Sequence, residues 1–240
     1  MDIYKQMHMP LKAAVGKTVF KKQFFKNIAM NCADENLFSR VVDKIIWQYS
    51  LKWENCNIQP YTDEEREYPE IEVMEVVLRE QYKIERLAEL ILRSIPYPVV
   101  LIFHYTNVYQ LWLATYTKNK ADTNKNVLNQ LISVAWLQSN DTLWHHLSLQ
   151  HLRTTNFYDT YSDMYNIVNC FRAATLVGHE VHVSGEIARV IQTKVVVIDE
   201  RLAKLRGRLK KETQFNRKVE LNMQIRKLCQ EKEDILQKLN

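Results

Sequence analysis

The sequence predicts an α+β protein: a small mixed sheet with a β-α-β-β core, packed with helices, then a helical segment and a long C-terminal coiled-coil helix. Three observations predict it. The middle of the chain reads strand–helix–strand–turn–strand. Segments on either side repeat apolar residues at helical spacing. Residues 186–240 contain no proline, and their apolar positions step in threes and fours.

The first fifteen residues read as an irregular arm. Residues 19–30 and 35–49 carry apolar side chains at helical spacing, the second with Leu37, Val41, Ile45 and Tyr49 four apart. Residues 50–69 are rich in Asn, Asp and Glu, include Pro60 and Pro69, and read as an exposed loop. EIEVMEVVLRE (70–80) begins with alternation and turns fully apolar, as a strand does when its far half is buried on both faces. YKIERLAELILRSI (82–95) is a helix stopped by Pro96 and Pro98. VVLIFHY (99–105) and YQLWLATYT (109–117) are strands of a hairpin turning at TNV. The first two strands are expected to be parallel through a right-handed crossover, the third antiparallel. A polar break covers 118–125. Helical segments are expected over 126–136, over 141–152 with Asp141 as N-cap, and over 156–178. Gly178 and Gly185 bracket HEVHVS, the expected hinge before the tail. The expected organisation is an α+β domain (1–125), a helical subdomain (126–185) and a coiled-coil helix (186–240).

In the tail, Val195, Ile198, Leu202, Leu205 and Leu209 form a heptad seam. A second run, Leu221, Ile225, Leu228, Ile235 and Leu239, is two residues out of phase, with Lys232 in the missing position. An unbroken helix from Ile187 to Leu239 would reach about 80 Å at about 1.5 Å per residue. A lone helix with so narrow a seam is unstable. The seam must therefore meet a second copy, its own folded-back half, or another protein's helix. Leu202, Leu205, Leu209, Leu221, Ile225 and Leu228 are the expected assembly interface.

Net charge is +5. Residues 186–240 hold fourteen Lys and Arg against eight acids, and the remainder nineteen against twenty, so the tail carries the whole excess. Arg201, Arg206, Arg208, Lys210 and Lys211 form the candidate basic patch for nucleic acid or an acidic partner. Cys32, Cys56, Cys170 and Cys229 are scattered and fit reduced thiols. No apolar run is long enough to span a bilayer and the start has no apolar signal core, so the expectation is a cytoplasmic protein without membrane contact.

Motifs for chemistry are weak. His179 and His182 lack the spacing and helical context of a zinc-binding HExxH. His145, His146 and His151 lie on an amphipathic stretch. The acidic run from Asp63 to Glu75 enters the first strand, but Glu72 and Glu75 have opposite parity and no lysine follows at nuclease spacing. Gly16-Lys17-Thr18 lacks the earlier glycine of a phosphate loop. Arg153, Arg172 and the aromatics of NFYDTYSDMY are candidates for base stacking, or for core. No catalytic residue, metal ligand or cofactor is assigned.

KTVFKKQFF, DKIIWQYSLKWENCNI, EIEVMEVVL, LILRSIPYPVVLIFHY and the tail stretch KKETQFNRKVELNMQIRKL occur in an order that resembles a bacterial family known only as a domain of unknown function, from about Gly16 to about Leu228. The resemblance implies genomic context rather than chemistry. Such proteins are typically encoded beside helicase-like ATPases and DNA methyltransferases in restriction or anti-phage defence clusters. The expected function is a non-catalytic accessory subunit that assembles through its tail with such a partner or as a homo-oligomer. Its alternatives are a metal-dependent nuclease component and a DNA-binding module.

Overall fold

The computed structural model describes residues 2–27, 30–119 and 126–239. The chain divides into two compact units, Met1–Val168 and Asn169–Asn240.

The first unit is an α+β fold on one mixed sheet. Its elements are α1 (Ile3–Gln6), β1 (Ala14–Val19), α2 (Lys21–Asn27), α3 (Cys32–Val41), β2 (Val42–Leu51), α4 (Trp53–Cys56), β3 (Tyr61–Thr62), β4 (Glu67–Tyr68), β5 (Ile71–Leu78), α5 (Ile84–Ser94), β6 (Val99–Tyr105), β7 (Val108–Lys118), β8 (Asn126–Ser133), β9 (Leu137–Gln138) and α6 (Thr142–His146). The sheet order is β1-β2-β5-β6-β7-β8, with β9 also against β7. β5 and β6 are parallel, joined by α5, and the remaining pairs of this sheet are antiparallel. The central β-α-β-β reading thus matches the structure. Ile71, Val73, Val76, Val99, Leu101, Ile102 and Phe103 are buried because these strands are covered on both faces. The apolar face of α5 places Leu87, Ala88 and Ile91 in this core. Arg86 on the same helix donates to both carboxylate oxygens of Asp34 on α3, at 3.0 and 2.7 Å.

Several elements differ from the sequence reading. Of the helix expected over 141–152 only Thr142–His146 is helical, and the loop expected over 50–69 holds α4, β3 and β4. The helix expected over 35–49 ends at Val41, and β2 takes the rest. A spacing of four keeps residues on one side of a helix and of a regular strand alike, so the run does not separate the two; in β2 the bulge turns Tyr49 to the face opposite Ile45. The helix expected over 126–136 is instead β8, paired with β7 from Asn126 to Ser133. There sheet pairing outweighs a weak local preference. The irregular arm is ordered: α1 buries Ile3 and Tyr4, and β1 forms the sheet edge beside β2.

β2 carries a bulge between Trp47 and Tyr49. Two successive residues, Gln48 and Tyr49, therefore lie on one face. Gln48 Nε2 donates to Glu75 at 2.6 Å, and the Tyr49 ring lies 5.4 Å from that of Tyr4, whose hydroxyl donates to the same carboxylate at 2.7 Å. Trp47 and Ser50, three apart, both reach the other face.

The second unit continues α7 (Phe157–Val177), which crosses the boundary, and adds α8 (Gly185–Lys211) and α9 (Phe215–Leu236). Gly178 ends α7 at φ +80°, a left-handed position suited to glycine. Ser184 caps α8 by accepting from the Ile187 amide. Ala173, Val181, Ala188, Ile191, Val195 and Leu239 form the core of this unit.

Candidate functional site

The tail is not one helix. It turns at 212–214 and α9 runs back along α8. The Glu212 carboxylate accepts from the Thr213 and Gln214 amides at 2.8 and 2.9 Å, which holds its pKa below the usual glutamate value and fixes the turn. The phase change between the two apolar runs is the mark of this turn. Once the chain reverses, each run needs to face only the other. Leu202 and Leu221 are buried; Leu205, Leu209, Ile225 and Leu228 are half-buried. Lys232, which breaks the second run, donates to both oxygens of Asp199 on α8 at 2.6 and 2.8 Å. Of the three alternatives open to the narrow seam, the structure supplies the folded-back half.

The reversal also reorganises charge. Between Arg201 and Lys227 the sequence has ten Lys and Arg against Glu212 and Glu220, a net +8. The rest of residues 185–239 has four against six, a net −2. The hairpin therefore has a strongly basic tip and a slightly acidic base. All ten tip cations are exposed, including Arg201, Arg206, Arg208, Lys210 and Lys211. Arg201, Lys204 and Arg208 on α8 and Lys227 on α9 flank a shallow groove floored by Leu205 and Leu228. Lys204 and Lys227 lie outside the patch that the sequence marks, because only the turn brings them beside Arg201 and Arg208. α9 also exposes Phe215 (77%), Val219 (41%) and Met223 (66%), four residues apart along one side.

The acids at the first central strand form two separate sites in the sheet unit. Glu75 accepts from Tyr4 and Gln48 and lies 2.9 Å from Nδ1 of His104. The other ring nitrogen of His104 is 2.9 Å from the Thr106 carbonyl, and Tyr109 stacks on the ring. Glu72 points to the opposite face. It accepts from Trp47 Nε1 at 2.5 Å and Ser50 Oγ at 3.0 Å. Burial pushes its carboxyl up to about 7, against those two hydrogen bonds and with the help of neighbouring Glu70. Glu72 lines a cleft of about 410 Å³ walled by Phe24, Trp47 and Tyr97. Sequence reasoning misses Trp47, Lys52 and Tyr97, since the bulge and the α5–β6 link that bring them to Glu72 have no local signature. Among the described residues, no three His, Cys, Asp or Glu side chains are grouped as metal ligands. His179 and His182 are exposed, and His151 Nδ1 meets the His145 carbonyl at 3.2 Å.

Against this geometry, a family profile described as a domain of unknown function (DUF4391) matches residues 7–231. The chain belongs to that family. No curated protein and no solved structure matches it. Both the DUF4391 hairpin tip and the Glu72 cleft fall inside the matched span. Among the described residues, no helix of this DUF4391 chain is long and apolar enough to cross a membrane.

Proposed function

We propose that this protein is a non-catalytic accessory subunit of a bacterial DNA-processing system, and that its helical hairpin binds nucleic acid through the basic tip. The observation that carries the reading is the net +8 between Arg201 and Lys227, gathered by the turn onto one end of two paired helices. Such a cluster neutralises phosphates and releases counterions, so binding is strong at low salt and falls steeply as salt rises. The exposed cations lie on rigid helices, which lowers the cost of ordering them on binding. A restriction or anti-phage defence setting, with a helicase-like ATPase or a DNA methyltransferase as partner, follows from the resemblance noted in the sequence.

The test is binding of the full chain to a labelled 30-base-pair duplex across a salt series. Changing Arg201, Arg208 and Lys227 together to glutamine should lower the slope of log affinity against log salt by about 0.9 for each phosphate that is no longer neutralised. Undetectable binding at 50 mM salt, or an unchanged slope in the triple variant, rejects the reading.

A second reading, assembly with a protein partner or with a second copy, is favoured by the exposed row of Phe215, Val219 and Met223. It predicts a mass above one chain in light scattering, alone or with the helicase or methyltransferase, that Phe215→Glu abolishes. A single-chain mass in both mixtures would rule it out.

A further inference from the structure

We propose that the cleft beside Glu72 binds an alkyl guanidinium, held between the Glu70 and Glu72 carboxylates with its stem against the apolar wall.

The site is built rather than incidental. Glu72 is only 4% exposed, yet its carboxylate lines the cleft. Trp47 donates to one oxygen and Ser50 to the other, which fixes the group and leaves each oxygen a second acceptor position. Glu70 lies two residues before it and lines the same cleft. Two neighbouring carboxylates repel when both are ionised, so a donor between them is favoured.

The charges around the pair are unbalanced. Lys52, just past the end of β2, lies 3.0 Å from Glu70. Gln23 from α2 and Ser94 from α5 are uncharged, and Tyr97 in the link to β6 is a phenol. Among the described residues lining the cleft, Lys52 is the one cation and it pairs with Glu70, so two ionised acids would carry one charge more than it balances. A ligand cation would balance that charge.

The walls select the kind of cation. Trp47 and Tyr97 line the cleft, and a planar guanidinium suits aromatic walls while its edge reaches carboxylates in a fork. Val19, Met74 and Ile95 suit a short methylene stem. An ammonium offers neither the planar stack nor the two-pronged fit. On binding, the guanidinium N–H groups take the place of the proton held by Glu72, and that proton passes to solvent.

This exchange is measurable by calorimetry on the full chain, in buffers of different ionisation enthalpy, with butylguanidinium as probe. With Glu72 at about 7 in the free protein, affinity should rise about tenfold from pH 6 to pH 8, and about half a proton should be released per ligand at pH 7. Glu72→Gln should abolish the proton release and the pH dependence. Tyr97→Ala, at the exposed rim, should weaken binding about two- to fivefold without changing the melting temperature. A blocked Gly-Arg-Gly peptide separates the two sources: comparable binding identifies an arginine side chain, and exclusion identifies a free small molecule. No butylguanidinium binding at pH 8, binding without proton release, or equal affinity for butylammonium would each overturn the proposal.

Discussion

Glu72 should make the protein less stable as the solution becomes more alkaline. Its folded-state pKa is about 7, above the ordinary glutamate value of 4.5. The folded chain therefore keeps a proton that the unfolded chain gives up between those values. By linkage, stability falls as pH rises through this window and levels off above about 7. From the two pKa values, the loss between pH 5 and pH 8 is about 2.5 kcal/mol, from about 0.8 at the lower pH to about 3.4 at the higher. Water entering the cleft screens part of this, so 2.5 is the upper end. Glu72→Gln removes the titration, keeps an acceptor oxygen for Trp47 and places an NH2 that can donate to the Ser50 hydroxyl. Urea denaturation of both proteins at pH 5, 6, 7 and 8 isolates the effect, because all other groups cancel in the difference. The variant should gain on the wild type by about 1–2.5 kcal/mol over that range. A difference constant with pH would show that Glu72 is ionised at ordinary pH and would refute the reasoning.

Four further outcomes are expected. Asp34, held below the ordinary aspartate value by the Arg86 guanidinium, stabilises the fold above pH 3.8, and that contribution is lost as pH falls through its lowered pKa; Asp34→Asn should flatten the acid limb of the denaturation curve. Leu202→Ala, at a buried position of the hairpin, should destabilise by about 2–4 kcal/mol in chemical denaturation, whereas Phe215→Ala should change stability by less than about 0.5. Tyr4→Phe removes one donor from buried Glu75 and should cost about 1–3 kcal/mol in urea unfolding. Gly178→Ala meets no side chain within 4 Å, so its cost of about 1 kcal/mol, read from the melting temperature, should come from the left-handed backbone alone.

The legible parts of the sequence are those where burial and spacing agree. EIEVMEVVL and VVLIFHY are apolar throughout because both faces of β5 and β6 are covered, and Pro96 and Pro98 mark the end of α5. The opposite parity of Glu72 and Glu75 is visible in the sequence, and the structure gives the two acids separate partners. The start of β2 is hidden because four-residue spacing serves helix and strand alike. β8 is hidden because a half-exposed strand beside β7 needs little apolar patterning of its own. In the tail, the out-of-phase runs and the Lys232 gap look like a slipped seam. They mark a reversal made at Glu212-Thr213-Gln214, with neither glycine nor proline to announce it. Summing charge along the chain finds the basic segment, but only the reversal shows that its two halves lie side by side.

The bulge at Gln48 and Tyr49 bears on chain length as well as on side-chain direction. Trp47 and Ser50, three apart, share the Glu72 face because one surplus residue separates the two halves of β2. Deleting either Gln48 or Tyr49 would restore an unbroken ladder and leave Trp47 and Ser50 two apart, still on that face. The loss would fall on the opposite face, where Gln48 donates to Glu75 and Tyr49 packs beside Tyr4. A relative one residue shorter between Trp47 and Ser50 could therefore keep the Glu72 cleft, and its change would show at Glu75.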